Sequence, residues 1–73
     1  MNNEPRTVEQ IFGERVRSLR KIIKISQDEL AFRSGLHRNY ISDVERGTRN
    51  ISLKAIYKIA NGLNVTVEAL FIK

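Results

Sequence analysis

The side chains best suited to specific hydrogen bonding lie close together near the middle of the chain. Arg38 carries a planar guanidinium that can bond O6 and N7 of one guanine, and the amide of Asn39 can pair similarly with adenine. In a helix, Ser42 would lie one turn further along, where its hydroxyl could contact a base or the DNA backbone. These residue types and this spacing predict recognition of base edges.

Catalysis has little support in the sequence. The chain has one histidine and no cysteine, and it contains neither a glycine-rich phosphate loop nor a pair of metal ligands at helical spacing. The histidine, His37, has no second ligand nearby and is interpreted as a helix cap or the neighbour of a phosphate. We therefore predict a binding protein that is not an enzyme and uses neither a cofactor nor a metal.

Helices must position these side chains, because apolar residues recur at intervals of three and four and no segment alternates as a strand would. A first helix is predicted from about Val8 to Ile23, with a buried stripe that includes Val8, Ile11 and Ile23. Ser26 should begin a second helix in a capping box with Glu29. Gly35 should end that helix, since glycine tolerates the left-handed conformation required there.

Three further helices complete the predicted fold. The third runs from about His37 to Arg46. Ser52 should cap a fourth helix with Leu53 on its inner face and Gly62 near its end, and Thr66 should cap a short fifth helix. The fold class is therefore all-α, a compact five-helix domain.

Size and charge limit the possible partners. The 73 residues allow one small domain, which we place at residues 8–73 after a flexible arm of residues 1–7. The net charge of +5 favours a polyanionic partner, but residues 26–50 carry four basic and four acidic side chains. A binding face in that segment must therefore come from the placement of charges. The sequence contains neither an apolar membrane span nor a signal peptide, which favours a cytoplasmic protein.

Several residues within the segment 27–46 are of the types that a tight turn between two packed helices requires. Ala31 is placed where two short helices would cross most closely, and Gly35 supplies the backbone angle of the turn between them. Apolar anchors would hold the second of these helices against the core. They are Leu30, Leu36, Ile41 and Val44.

These offsets resemble the helix-turn-helix of phage repressor and Cro proteins. The likeness is carried by Gln27-x-x-Leu30-Ala31-x-x-x-Gly35-Leu36, then Ile41 and Glu45-Arg46-Gly47, and it extends from Phe12 to about Phe71. Within that family, Arg38-Asn39-Tyr40-Ile41-Ser42 and the segment from Glu45 to Ser52 look most like controller proteins of restriction–modification systems. The resemblance implies a dimeric regulator of its own gene and the endonuclease gene that binds a pseudo-palindromic double-stranded operator. RNA polymerase is a further candidate partner.

The resemblance also implies roles for individual residues. Asp43 occupies a base-facing position, where its carboxylate could read a base or orient Arg38 or Arg46. Glu45 resembles a glutamate that pairs with an arginine of the first helix, here Arg20. For Tyr40, a phosphate contact and packing beneath the helix remain alternatives. Contacts to the DNA backbone are predicted for Gln27, His37, Tyr40, Arg46, Arg49 and Asn50.

A homodimer is predicted because one recognition helix reads too few base pairs for useful selectivity. The C-terminal region, residues 51–73, has more apolar side chains than the core needs. We assign Ile59, Leu63 and Leu70 to the core, and the dimer interface to Ile51, Val65, Val67 and Phe71. The alternatives are a phage-type repressor or antitoxin, and, from another class, a protein-bridging coactivator or RNA-associated module whose basic first helix would dominate.

Overall fold

The computed structural model of the protein describes residues 6–72, which form four α-helices and a short 3-10 helix. The helices are α1 (Val8–Ile22), α2 (Gln27–Ser34), α3 (Arg38–Arg46), α4 (Leu53–Leu63) and the 3-10 helix (Val67–Phe71). The predicted all-α class is confirmed, with the fifth helix a 3-10 helix. Residues 1–5 of the predicted arm lie outside the described residues. None of the helices in residues 6–72 is long and apolar enough to cross a membrane.

Helix starts follow from side chains that accept hydrogen bonds from the first turn. Thr7 and Gln10 form a capping box at the start of α1, which places Thr7 at the helix and not in a free arm. Ser26 accepts from the backbone N–H of Glu29 at 3.0 Å, as predicted. The other half of the predicted box is wrong, because the Glu29 carboxylate instead accepts from Arg33, one turn further along α2. An arginine at i+4 offers a charged donor, whereas the cap offers a neutral amide.

Gly62 lies near the end of α4, as predicted, one residue before the last residue of the helix. The left-handed cap itself is Asn64, with a φ of 58°. A Cβ added to Gly62 would come within 2.4 Å of Ser34 Oγ on α2. Gly62 is therefore a packing residue that allows α4 to lie close against α2.

The core is formed by side chains from all five elements. It consists of Phe12, Val16, Leu30, Ala31, Ile41, Val44, Ala55, Ile59, Ala60, Leu63 and Leu70. Four side chains that the periodicity placed inward are instead exposed: Val8 by 70%, Ile11 by 40%, Ile23 by 41% and Leu53 by 81%. Val8 and Leu53 begin their helices, Ile11 lies in the first turn of α1, and Ile23 caps that helix. At a helix end, apolar spacing alone does not guarantee a neighbouring element to pack against.

Helix α3 is held mainly by α1 and α2, whereas α4 packs against α2 and the 3-10 helix. The approach of α1 to α3 is unusually close at Gly13. A Cβ at this position would lie 2.1 Å from the carbonyl oxygen of Val44 and 2.9 Å from that of Glu45. Both atoms belong to the backbone of α3, which cannot move aside as a flexible side chain could. The orientation of α3 on the core therefore depends on glycine at position 13, because any side chain there would collide with α3.

We expect Gly13→Ala to lower the free energy of unfolding by about 3 kcal/mol or more, because the added methyl group must push α3 away from α1. Urea unfolding followed by circular dichroism measures this loss. Ser18→Ala, at an exposed position of the same helix, is the matched control and should change stability by under about 0.5 kcal/mol. Equal stability of the two variants would contradict the close packing described here.

Candidate nucleic-acid interface

Helices α2 and α3 meet across a tight turn of three residues. Gly35 ends α2 with a left-handed φ of 67°, and the N–H of Leu36 donates to the carbonyl of Ala31 at 3.0 Å. His37 then caps α3, with its Nδ1 accepting from the backbone N–H of Asn39 at 3.0 Å. Ala31 is buried, as its small size predicts for a residue near the crossing of the two helices. The segment is a helix-turn-helix in its geometry.

The turn directs the start of α3 outward. Arg38 and Asn39 are exposed, while Ser42 and Asp43 are half-buried one turn further along. The opposite side of the helix carries Ile41, which is fully buried. The four predicted base-reading side chains therefore lie along the outer part of α3, and Arg38 and Asn39 extend furthest into solvent.

Carboxylates pair with the arginines of this surface. Arg38 Nε lies 3.1 Å from a carboxylate oxygen of Asp28 on α2. Asp43 contacts Arg46 at 2.5 Å and Arg49 at 3.1 Å. Of the two partners that the sequence offered Asp43, the structure therefore pairs it with Arg46, and it adds Arg49. The equal numbers of acidic and basic side chains in this segment correspond to local ion pairs.

The C-terminal end of α3 forms a small polar platform with the loop that follows. Arg46 also donates to the Ser42 hydroxyl at 3.1 Å. The guanidinium of Arg49 lies 4.5 Å from the centre of the Tyr40 ring, a cation–π arrangement. Tyr40 is half-buried and also packs against the core. These contacts group Tyr40, Arg46 and Arg49, three of the six side chains predicted to contact the DNA backbone. Asn50 is exposed in the same loop.

The predicted pairing of Arg20 with Glu45 is present and is largely shielded from solvent. Arg20 donates from Nε and one terminal nitrogen to the two carboxylate oxygens of Glu45, at 2.7 and 2.9 Å. The side chains are 12% and 4% exposed. Arg20 also donates to the carbonyl of Ile25, and Gln27 donates to Glu45 at 3.1 Å. One carboxylate thus joins α1, α2 and α3.

The hydrogen bond from Glu45 raises the pKa of Arg20 above its ordinary value, against the opposing effect of burial, and the coulombic attraction of the same carboxylate adds to the rise. Because the folded-state pKa is raised, the contribution of this charge to stability is fully present below the ordinary arginine pKa. It is lost only as the pH rises through the raised value. The guanidinium therefore remains charged throughout the neutral range.

The bond from Gln27 to Glu45 was not apparent in the sequence. Gln27 was predicted to contact a phosphate, and in the structure one of its amide hydrogens is engaged by Glu45. The amide has a second hydrogen and a carbonyl oxygen in addition. The predicted phosphate contact would therefore use a side chain whose orientation is set by Glu45.

The predicted dimer residues divide into two groups. Ile51 and Val65 are half-buried and pack against the core of their own chain, whereas Val67 and Phe71 are exposed by 36% and 57%. The ring of Phe71 also lies against that of Phe12, with centroids 5.3 Å apart. The structure adds an apolar groove that the sequence did not indicate. It is lined by Leu53, Lys54, Ile56, Tyr57, Lys58 and Val67.

A long-range tether fixes the position of the C-terminal segment. Arg15 on α1 donates from Nε to the carbonyl oxygen of Ala69 in the 3-10 helix, at 2.9 Å. The sequence gave no signal for this contact, because the two residues are 54 positions apart and the acceptor is a backbone atom. In the part of the chain that the structure describes, no group of three or more His, Cys, Asp or Glu residues could hold a metal ion.

Comparison with known proteins agrees with this geometry. The profile of the helix-turn-helix family matches residues 16–70. The chain is 51% identical over 61 residues to the control protein C.BamHI of Bacillus amyloliquefaciens, covering 82% of this chain and 75% of that protein. It is 46% identical over 63 residues to the control protein C.SmaI of Serratia marcescens, covering 86% and 75%.

A solved structure shows the same likeness. The restriction–modification controller protein C.AhdI of Aeromonas hydrophila superimposes with a TM-score of 0.85 at 48% identity, covering 86% of this chain and 96% of that one. The chain therefore belongs to the helix-turn-helix family of transcriptional regulators and is a DNA-binding regulator, not an enzyme. The predicted similarity to restriction–modification controllers within that family is confirmed.

We expect Glu45→Ala to lower the free energy of unfolding by about 3 kcal/mol, because it leaves the Arg20 guanidinium without its partner in a largely buried site. Urea unfolding at neutral pH measures the change. The control is Arg33→Ala, which breaks the exposed pair with Glu29 and should cost under about 0.5 kcal/mol. If the two variants lost similar amounts of stability, the bracing role of Glu45 would be wrong.

Proposed function

We propose that the protein binds a pseudo-palindromic operator as a homodimer and controls transcription in a restriction–modification system, acting on its own gene and the endonuclease gene. The observation that carries the proposal is the exposure of Arg38 and Asn39 at the start of α3. The remainder of that helix is fixed by the buried Ile41 and Val44 and by the pair formed by Glu45 and Arg20. A firmly held helix with exposed polar side chains at its N-terminal end suits insertion into the major groove.

Contacts of two kinds are proposed at this surface. Arg38 reads guanine and Asn39 reads adenine or holds a phosphate, with Ser42 and Asp43 as further candidates for base contacts. Gln27 and the platform residues Tyr40, Arg46 and Arg49 contact the backbone on either side, together with His37 and Asn50. Backbone contacts fix the register of the protein on the duplex, while base contacts discriminate between sequences. Asp43 is paired with the two arginines of the platform, so a base contact from its carboxylate would compete with those two ion pairs.

We expect Arg38→Ala to relax the preference at one base position of each half-site, at a cost of about 1–3 kcal/mol in discrimination. The measurement is selection from a random duplex library followed by sequencing, with quantitative footprinting of the selected site. Lys21→Ala, at an exposed position of α1, is the control and should weaken binding to all sequences modestly, if at all. An unchanged sequence preference in Arg38→Ala would contradict the base-reading role.

The proposed dimer uses the groove between α4 and the 3-10 helix. Leu53, Tyr57 and Val67 are exposed there beside the half-buried Ile56, and their apolar surface is not needed to complete the core. Val67 was predicted at the interface from the sequence, and the groove continues past Ile56 towards Ile51 and Phe71. Helix α3 does not border this groove, which leaves the proposed DNA-binding surface of each subunit open.

We expect Leu53→Glu to raise the dissociation constant of the dimer by at least about thirtyfold, because it removes apolar contact area and requires a carboxylate to lose water on association. The substitution falls at the first residue of α4, where a negative charge favours the helix, so the monomer should stay folded. Sedimentation equilibrium at micromolar concentration measures the change. Phe32→Glu is the control, since Phe32 is 83% exposed on α2 and lines none of this groove.

The oligomeric state of the wild-type protein tests the same proposal directly. A monomeric mass at micromolar concentration would exclude this groove as a stable interface. If Phe32→Glu dissociated the dimer and Leu53→Glu did not, the interface would lie on the α2 surface instead.

A further inference from the structure

The ion pair between Arg38 and Asp28 connects the two helices of the motif at their N-terminal ends. Arg38 is the first residue of α3 and Asp28 the second residue of α2. Arg38 Nε lies 3.1 Å from the Asp28 carboxylate, and the side chains are 61% and 73% exposed. Exposed pairs of this kind contribute little to folding stability. The pair therefore adds little to the stability of the fold, although it involves the arginine proposed to read a base.

The geometry of the pair leaves the other end of the guanidinium available. Asp28 is close to Nε, so the two terminal nitrogens of Arg38 can point away from α2. Those two nitrogens form a planar fork that can donate to guanine O6 and N7 together. A side chain held in this way loses less rotamer freedom when it meets the base.

The charge of Asp28 acts in the same direction. A carboxylate on this surface repels phosphates, which weakens contacts that do not depend on sequence. At a matching guanine, the guanidinium offsets that repulsion through two directed hydrogen bonds. We propose that Asp28 is a positioning residue that increases the sequence discrimination of Arg38, an inference that rests on the proposed function.

The other charged groups of the surface do not share this role. Asp43 is paired with Arg46 and Arg49, and Glu45 is buried with Arg20. Asp28 is thus the carboxylate paired with Arg38 among the described residues.

The test compares two duplexes in 0.15 M salt: the site that the wild-type protein selects from a random library, and a scrambled duplex of the same length and composition. We expect Asp28→Asn to lower affinity for the selected duplex by about threefold and to leave that for the scrambled duplex unchanged or up to about twofold higher. The ratio of the two affinities should fall by about three- to sixfold. Glu68→Gln, which changes the net charge equally on the exposed 3-10 helix, is the control and should leave the ratio unchanged.

A double-mutant cycle separates positioning from a general charge effect. In the Arg38→Ala background, Asp28→Asn should no longer lower affinity for the selected duplex, because no guanidinium remains to be positioned. A fall of the same size in that background, or an unchanged ratio in the single variant, would overturn the inference while leaving the DNA-binding proposal intact. If the wild-type protein selected no sequence at all, the proposed function would fail, and this inference with it.

Discussion

The carboxylate of Glu45 is the point on which the arrangement of the motif depends. It accepts hydrogen bonds from Arg20 on α1 and from Gln27 on α2, while its own backbone belongs to α3. Burial makes the pair with Arg20 costly to lose, because an unpaired charge would remain in a site with little access to water. The close contact at Gly13 acts beside it, through the backbone of the same residue. Polar bracing and steric fit thus fix α3 from one side and leave its other side free.

Charge pairing divides the exposed part of α3 into two regions. Near the start of the helix, Arg38 is paired with the carboxylate of Asp28 on α2. Near its end, Asp43 forms ion pairs with Arg46 and Arg49. Each arginine is held beside a carboxylate, so the surface presents oriented donors without a large local excess of charge. This arrangement would allow a segment with no net charge to serve as the proposed DNA-binding face, and total basicity would then be a poor guide to the position of that face.

The sequence predicted the fold class, the limits of the motif and the pair between Arg20 and Glu45, because these depend on local caps, turn residues and a family pattern. Gly35 and Ser26 show this well, since each acts through backbone atoms a few positions away. Leu53 was placed wrongly because its surroundings depend on which helix lies opposite, and periodicity carries no such information. The contact of Gly62 with α2 was not foreseen for the same reason. The tether from Arg15 to Ala69 and the pairing of Asp28 were inaccessible for the same reason. Predicted contacts with DNA and between subunits remain predictions.

The separation of the core from the exposed groove affects how the dimer population would depend on protein concentration. Ile59, Leu63 and Leu70 are almost completely buried within one chain, so the fold closes without a partner. If subunits then associate through the groove as proposed, folded monomers and dimers coexist, and at low concentration the dimer population rises with the square of the protein concentration. A gene controlled by the dimer would respond weakly to the first molecules synthesised and steeply to later ones. Such a delay requires no additional component, only a dissociation constant close to the cellular concentration.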